Sequence, residues 1–392
     1  HAHIDHSGYI ARLVKMGFQG KVFCSSATLA QCEIMLPDSA HLQEEEARYA
    51  NKKGFSKHHP ALPLYTQQDA SSALKQFEAK SFESEFEVIP GLKCVLRSSG
   101  HILGSSFITL FDGRTTITFS GDLGRPNDMI FRPPVAIQRS DYLVVESTYG
   151  NRTHQGQDVL AQLEEAIAPV LRRKGVVVVP AFAVGRSQAL LYCLYKLKEA
   201  GRIEDVPVFL NSPMSINASG IFCAHMGEHR LGQEECEGTC KVAHYVNTPE
   251  ESKSLNMRSG PMIIIAASGM ATGGRVIHHL KAFAPDSKNM ILLVGYQAAG
   301  TRGASLRQGA KTLRIHGGEV PVRAEIATIQ GLSGHADQGE IIEWMSHFSP
   351  APKHTFITHG EPEAASALHA VISEKLGWKS SSPRYLDEVE LQ

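Results

Sequence analysis

Between about residues 155 and 330 the chain alternates short, wholly apolar runs with amphipathic ones, and this limits its fold more than any other feature. The runs at 176–179, 206–210, 262–267 and 290–294 consist almost entirely of Val, Ile, Leu, Met, Phe and Ala. A strand without a polar face has to be covered on both sides, as in a parallel sheet flanked by helices. Helical periodicity over 158–173, 186–199 and 274–283 fills the gaps between them, so the expectation is an α/β unit. Two of its strand-to-helix turns are glycine-rich: Phe182-Ala183-Val184-Gly185-Arg186 and Ser268-Gly269-Met270-Ala271-Thr272-Gly273-Gly274-Arg275. No internal repeat or low-complexity linker interrupts the pattern.

On either side of this block the period changes. Segments 86–90, 92–96, 106–111 and 115–119 alternate polar with apolar, as antiparallel strands do, and Asp112-Gly113 marks a tight hairpin. A further strand is expected at 142–145. Upstream, helices are expected at 7–17 and 26–50, a short strand at 21–24, and another helix beginning at the capping pair Thr66 and Asp69. Downstream come a helix to about 347, a strand at 355–358 and a helix at 363–376.

Length and composition fit this picture. A chain of 392 residues has room for two domains, or for one large domain carrying an insertion. Its net charge of −1 means that a nucleic-acid partner would be held by local Lys and Arg patches, not by overall charge. No apolar run reaches the length of a membrane span and no signal-peptide pattern precedes the first motif, so a cytoplasmic protein without a membrane partner is expected. Seven cysteines, an odd number, point to a reducing compartment and not to a disulfide framework. The spacing Cys236-x3-Cys240-x3-His244, with His225 and His229 close by, has the form of a structural zinc site; a plain surface loop accounts for it as well.

Polar groups with metal-binding chemistry recur at strand ends beside glycine, where a scaffold presents ligands. The chain opens His1-Ala2-His3-Ile4-Asp5-His6, four donor side chains in six positions. Read as extended backbone, this puts His1, His3 and Asp5 on one side; read as a tag, it would be excluded from the fold. Further donors stand in Gly100-His101, Ser120-Gly121-Asp122 and His359-Gly360-Glu361. Imidazole and carboxylate are the donor set of zinc. His1, His3 and His101 would serve one ion, and Asp5, His6 and His359 a second. Asp122 would bridge them through its two oxygens. Taken singly, each is as readily a loop histidine or a turn aspartate.

Together these motifs resemble those of the metallo-β-lactamase superfamily. Glu146-Ser147-Thr148-Tyr149-Gly150, the run Ser268-Gly269-Met270 to Gly273-Gly274-Arg275, and Ser333-Gly334-His335-Ala336-Asp337 resemble its β-CASP branch, which processes nucleic acid. The resemblance covers essentially the whole chain in order. It implies an α/β fold, the metallo-β-lactamase αββα sandwich with an inserted parallel β-CASP domain. The domains would be 1–150 and 332–392 for the sandwich and 151–331 for the insertion. Relatives carry further strands before the first motif, so the sandwich is expected to be N-terminally incomplete.

The resemblance also implies a zinc-dependent ribonuclease that hydrolyses phosphodiester bonds by a two-metal hydroxide mechanism with two Zn2+ per chain. Asp5, His335 and Glu146 would be the catalytic residues. His335 would supply a proton to the leaving group, with Glu146 orienting it. RNA-acting members keep a histidine at the position of His359, which favours RNA over DNA. Ser268, Gly273, Gly274, Arg275 and Arg302 would contact phosphate. Ala304 stands where many relatives carry a basic residue. The partners expected are single-stranded RNA and a second copy of the chain in a homodimer. Two rival functions are a non-catalytic scaffold subunit of an RNA-processing complex and a metallo-hydrolase of small esters or thioesters.

Overall fold

The structure, a computed structural model, describes every residue except Phe55, Gln155, Gln157, Gln330 and Gln392. The chain divides into two compact units. One is built from His1–Thr153 together with His335–Gln392, the other from His154–Gly334.

The second unit is the parallel α/β body. Its sheet runs in the order His244–Tyr245, Val208–Leu210, Met262–Ala266, Val176–Pro180, Met290–Val294, Glu325–Ile329, and every neighbouring pair is parallel. The strands at 176, 262 and 290 are buried at every position, as strands sandwiched between helices must be. Helix Val159–Arg172 starts where the Asp158 carboxylate accepts from the Leu160 N–H. The helix expected at 274 begins only at Val276, because Gly274 sits at φ +72°, outside helical space. Several short elements were not expected from the sequence: helices Pro213–Ala224, Gln233–Lys241, Pro249–Leu255 and Arg302–Arg307, strand Glu325–Ile329, and the hairpin Thr312–Ile315 with Gly318–Pro321.

The first unit is organised around a seven-stranded mixed sheet. From one edge its order is Glu85–Ile89, Leu92–Ser98, Ser106–Phe111, Thr116–Phe119, Tyr142–Glu146, His354–Thr358, Ser380–Ser381. The first four strands pair antiparallel and the last four parallel, Thr116–Phe119 belonging to both sets. Helices Gln338–Met345 and Pro362–Leu376 bury Ile341, Trp344, Leu368 and Ile372 in one core with Phe107, Leu143, Val145 and Ile357. A separate two-stranded parallel sheet, Val22–Cys24 with Phe77–Ala79, accompanies the long helix Ser26–Lys53 and helix Gln67–Leu74. The Thr66 and Asp69 capping box is present in full.

Two local expectations need correction. Residues 1–6 do not stay extended: helix Ile4–Ser7 begins inside the motif, with His6 N and Ser7 N both donating to His3 O. The Ser7 hydroxyl donates to Ala2 O, which ties the turn closed, and the expected helix at 7–17 is consequently two short helices, the second being Ile10–Lys15. The tight hairpin expected at Asp112-Gly113 is present, the Asp112 N–H donating to the Thr115 carbonyl across the turn. Phe111 pairs with Thr116 while the Asp112 carboxylate accepts from the Arg114 and Thr115 N–H groups. Among the described residues no helix is long and apolar enough to cross a membrane.

Candidate metal centre

Three loops at strand ends of the first unit and the N-terminal turn carry the donors, and each is held by the chain's own hydrogen bonds. In the His101 loop the Ser105 hydroxyl accepts from the His101 and Ile102 N–H groups. Gly104, at φ +74°, gives its carbonyl to the hydroxyls of Ser25 and Thr28. A Cβ there would lie 2.5 Å from Thr28 N, so only glycine lets the loop approach this closely. Asp122 follows strand Thr116–Phe119, and the next N–H, of Leu123, donates to Glu146 at 2.6 Å. His359 ends strand His354–Thr358 at φ +52°, a left-handed conformation that costs a non-glycine residue free energy. The Ser147 N–H and Thr148 hydroxyl hold it there by donating to its carbonyl.

The side chains converge in two groups. In the first, His1 Nε2, His3 Nδ1, His101 Nε2 and Asp122 Oδ2 form a closed circuit with successive separations of 3.1, 3.2, 3.4 and 3.3 Å. Ligand atoms around a tetrahedral zinc ion with bonds of about 2.0–2.2 Å stand about 3.3–3.6 Å apart. The donor set and spacing therefore fit zinc. In the second, His6 Nε2 lies 3.1 Å from His359 Nε2, and Asp5 Oδ2 lies 3.5 Å from His359 Nε2 and 3.8 Å from His6 Nε2. Asp122 faces both groups, Oδ2 toward the first and Oδ1 toward His6 at 3.2 Å and His359 at 3.4 Å. The two groups differ in exposure. His1, His101 and Asp122 side chains are at most 3% exposed, whereas His359 is 35% and Asp5 65% exposed.

The electrostatics match a cation site. Burial lowers the His3 pKa to about 4, which keeps its ring in the neutral, ligating form. Burial works to raise Asp122, but the hydrogen bond from His6 and the charges of His101 and His335 hold it well below the usual range. The Asp5–His359 contact takes Asp5 down to about 2 and His359 up to about 9. His359 thus gathers a proton beside two carboxylates, the positive charge that a metal ion would provide instead.

Beside the cluster, His335 Nδ1 lies 3.3 Å from both oxygens of Glu146. Glu146 is buried, and its oxygens also accept from Leu123 N and Thr148 N. Burial pushes the His335 pKa down, but Glu146 outweighs it and the net shift is upward. The His335 ring lies 4.4 Å from that of His101 and 6.3 Å from that of His359, centroid to centroid. All seven expected metal donors and the His335–Glu146 pair therefore meet in one unit. Thr148, two residues after Glu146 and without a metal-binding signal of its own in the sequence, also belongs to the site, its hydroxyl 3.3 Å from His359 Nδ1.

The residues expected to contact phosphate lie in the second unit, and their side chains are engaged with the chain. Arg275 donates to Asn211 Oδ1 and to the carbonyls of Val246 and Asn247. Arg302 donates to the carbonyls of Ala271, Thr272 and Arg314. The Ser268 hydroxyl pairs with that of Thr272 and accepts from the Thr272 N–H. Gly273 has open space where a Cβ would point, whereas a Cβ on Gly274 would lie 2.7 Å from Ala267 O. Ala304 is buried, and its N–H is capped by the Thr301 hydroxyl. The third partner of Cys236 and Cys240 is Cys223. His244 instead lies in an exposed strand against Phe209, and the buried His229 stacks on Phe222.

The chain is similar to known proteins in two family models and in several whole relatives. Residues 187–306 match the Beta-Casp domain family, and residues 319–383 match the Zn-dependent metallo-hydrolase RNA specificity domain family. Ribonuclease TTHA0252 of Thermus thermophilus is 31% identical over 388 residues, covering 95% of this chain and 83% of that protein. Transcription termination factor FttA of Lokiarchaeum sp. is 30% identical over 410 residues, covering all of this chain but 62% of the factor. FttA of Thermococcus kodakarensis is 30% identical over 411 residues, and 61% of it is covered. The chain thus spans somewhat less than two thirds of the archaeal factors it matches. With its donor loops, its inserted parallel sheet and these relatives taken together, the chain belongs to the β-CASP branch of the metallo-β-lactamase superfamily.

Proposed function

We propose that this protein is a zinc-dependent ribonuclease that hydrolyses phosphodiester bonds in single-stranded RNA. His1, His3, His101 and Asp122 would hold one zinc ion, and Asp5, His6, His359 and Asp122 a second. The observation that carries this is the circuit of four donor atoms at 3.1–3.4 Å, with Asp122 turned to both groups. When bound, zinc supplies Lewis acidity, polarising a phosphoryl oxygen and acidifying water.

The chain's own residues do the rest. Hydrolysis forms a bond from water oxygen to phosphorus and breaks the bond to the leaving oxygen, which then needs a proton. His335 donates it: Nδ1 faces Glu146, so the proton leaves from Nε2, and the buried carboxylate stabilises the imidazolium beforehand. Leu123 N and Thr148 N fix the carboxylate, so it need not reorganise as the proton moves. Asp5, at 65% exposure, is the donor most open to an arriving substrate. Single-stranded RNA is favoured because a phosphate must reach a recessed cluster, and a flexible strand does so more cheaply than an A-form duplex. The RNA specificity domain match and the ribonuclease from Thermus support RNA as the polymer. The backbone N–H groups near Gly273 and Gly274 remain the best phosphate contacts in the second unit, since the guanidinium groups of Arg275 and Arg302 are largely used internally.

The test is zinc quantification on a preparation that is also given matched single-stranded RNA, duplex RNA and DNA, labelled at either end. About two zinc ions per chain with single-stranded RNA cut fastest is the expected result. Preference for DNA, or turnover of small esters without RNA cleavage, would overturn the proposal. Zinc near zero with no cleavage would point to a scaffold subunit, and sedimentation of the same sample reports whether it forms a homodimer.

A further inference from the structure

The second unit contains another donor cluster, built from sulfur alone. Cys236 and Cys240 stand four residues apart on helix Gln233–Lys241 and so share a face. Cys223, one residue from the end of helix Pro213–Ala224, meets them there. Its sulfur lies 2.9 Å from that of Cys240 and 3.8 Å from the Cys236 carbonyl oxygen, and all three sulfurs lie within 4.8 Å of one another. All three are free thiols.

The arrangement is rigidly placed. Helix Gln233–Lys241 lies so close to helix Arg186–Glu199 that a Cβ on Gly238 would come within 2.4 Å of the Tyr195 ring. The Tyr192 hydroxyl donates to Glu235 on the same helix at 3.0 Å. Cys236 is buried, while Cys223 and Cys240 are half-buried, which leaves an entry path for an ion. Burial and the neighbouring Cys240 push the Tyr245 hydroxyl, on the edge strand His244–Tyr245, up. The hydrogen bond with Cys223, together with burial, pushes the Cys240 thiol up, and burial pushes Cys236 up. Crowded sulfurs resist becoming anions one beside another, and a cation among them removes that resistance.

We propose that Cys223, Cys236 and Cys240 form a three-thiolate site for a soft cation, zinc or cuprous copper. A donor set of sulfur alone selects such ions and discriminates against Mg2+ and Ca2+, which need oxygen. Each thiol gives its proton to solvent as its sulfur binds, and no electron is transferred. A bound ion pins helix Pro213–Ala224 to helix Gln233–Lys241 across the loop between them.

Co2+ is the probe, because sulfur-to-cobalt charge transfer absorbs in the near ultraviolet and a histidine–carboxylate centre gives no such band. Titrating the reduced full chain should develop this band to one equivalent, and Cys223→Ala or Cys240→Ala should abolish it while metal at the histidine centre is retained. Should a variant fail to fold, peptide-resolved alkylation of the unaltered chain tests the same point: Zn2+ or Cu+ should protect Cys223, Cys236 and Cys240 together. Whichever of the two displaces Co2+ at lower concentration is the ion the site takes. Absence of the band with no protection by either ion overturns the proposal. So does formation of a Cys223–Cys240 disulfide, read as a mass loss of two hydrogens, in place of ion binding.

Discussion

His335 is half-buried and His279 wholly buried, and their partners give them opposite chemistry. His335 faces a carboxylate that itself accepts two backbone N–H groups, so its charged form is favoured. His335→Ala should lower RNA turnover by about 100-fold or more with zinc content unchanged; loss of zinc along with activity would make it a ligand. His279 lies wholly buried between two amides, Nε2 2.6 Å from Asn211 Nδ2 and Nδ1 2.7 Å from Asn256 Oδ1. One nitrogen accepts and the other donates, which only a neutral ring can do. Burial takes its pKa down to about 4. Below the ordinary histidine pKa of about 6.5 the unfolded chain takes a proton that the folded one refuses, so stability falls as pH drops from about 6.5 to about 4, by about 3 kcal/mol at most. Melting curves of the unaltered protein and His279→Gln should therefore converge as pH falls through that window, the variant lacking this loss.

At the scale of elements, the centre depends on loops that touch backbone to backbone. A Cβ on Gly124 would lie 2.0 Å from Gly100 O, between the loops that carry Asp122 and His101. Gly124→Ala should separate them, costing about 2–3 kcal/mol or more and reducing bound zinc although no donor is altered; a thermal melt and metal analysis check both. The sequence makes much of this level readable. The buried strands at 176, 262 and 290 are visible as unbroken apolar runs, and the Thr66 cap as a Thr and an Asp three residues apart. Contacts from outside each motif decide what the pattern alone leaves open. The first six residues alternate like a strand, but the Ser7 hydroxyl and the His3 carbonyl close them into a turn. Arg275 sits in a glycine-rich turn as a phosphate-binding arginine would, but Asn211 and two carbonyls from the loop after His244–Tyr245 take up its guanidinium. Cys223, 17 residues before Cys240, fits no short zinc spacing, and only the packing of two helices brings it in.

For the whole molecule, the proposed zinc ligands belong to one unit and the cysteine cluster to the other. Ligand that binds only the folded state stabilises what it binds. Chelation should therefore raise hydrogen exchange across residues 1–153 and 335–392 if removal is confined to the histidine centre, and the sulfur site should respond separately, in helices Pro213–Ala224 and Gln233–Lys241. Uniform loss of protection through both units would show a single cooperative structure instead. The same division bears on biosynthesis. His6 and His359 touch although 353 residues separate them in sequence, and the whole second unit is translated between them. Six of the seven proposed donors are made by residue 122, whereas His335 and His359 follow only after the second unit. The proposed centre can close only after translation has passed residue 359, so a nascent chain lacks both its seventh donor and His335 until the second unit has been made.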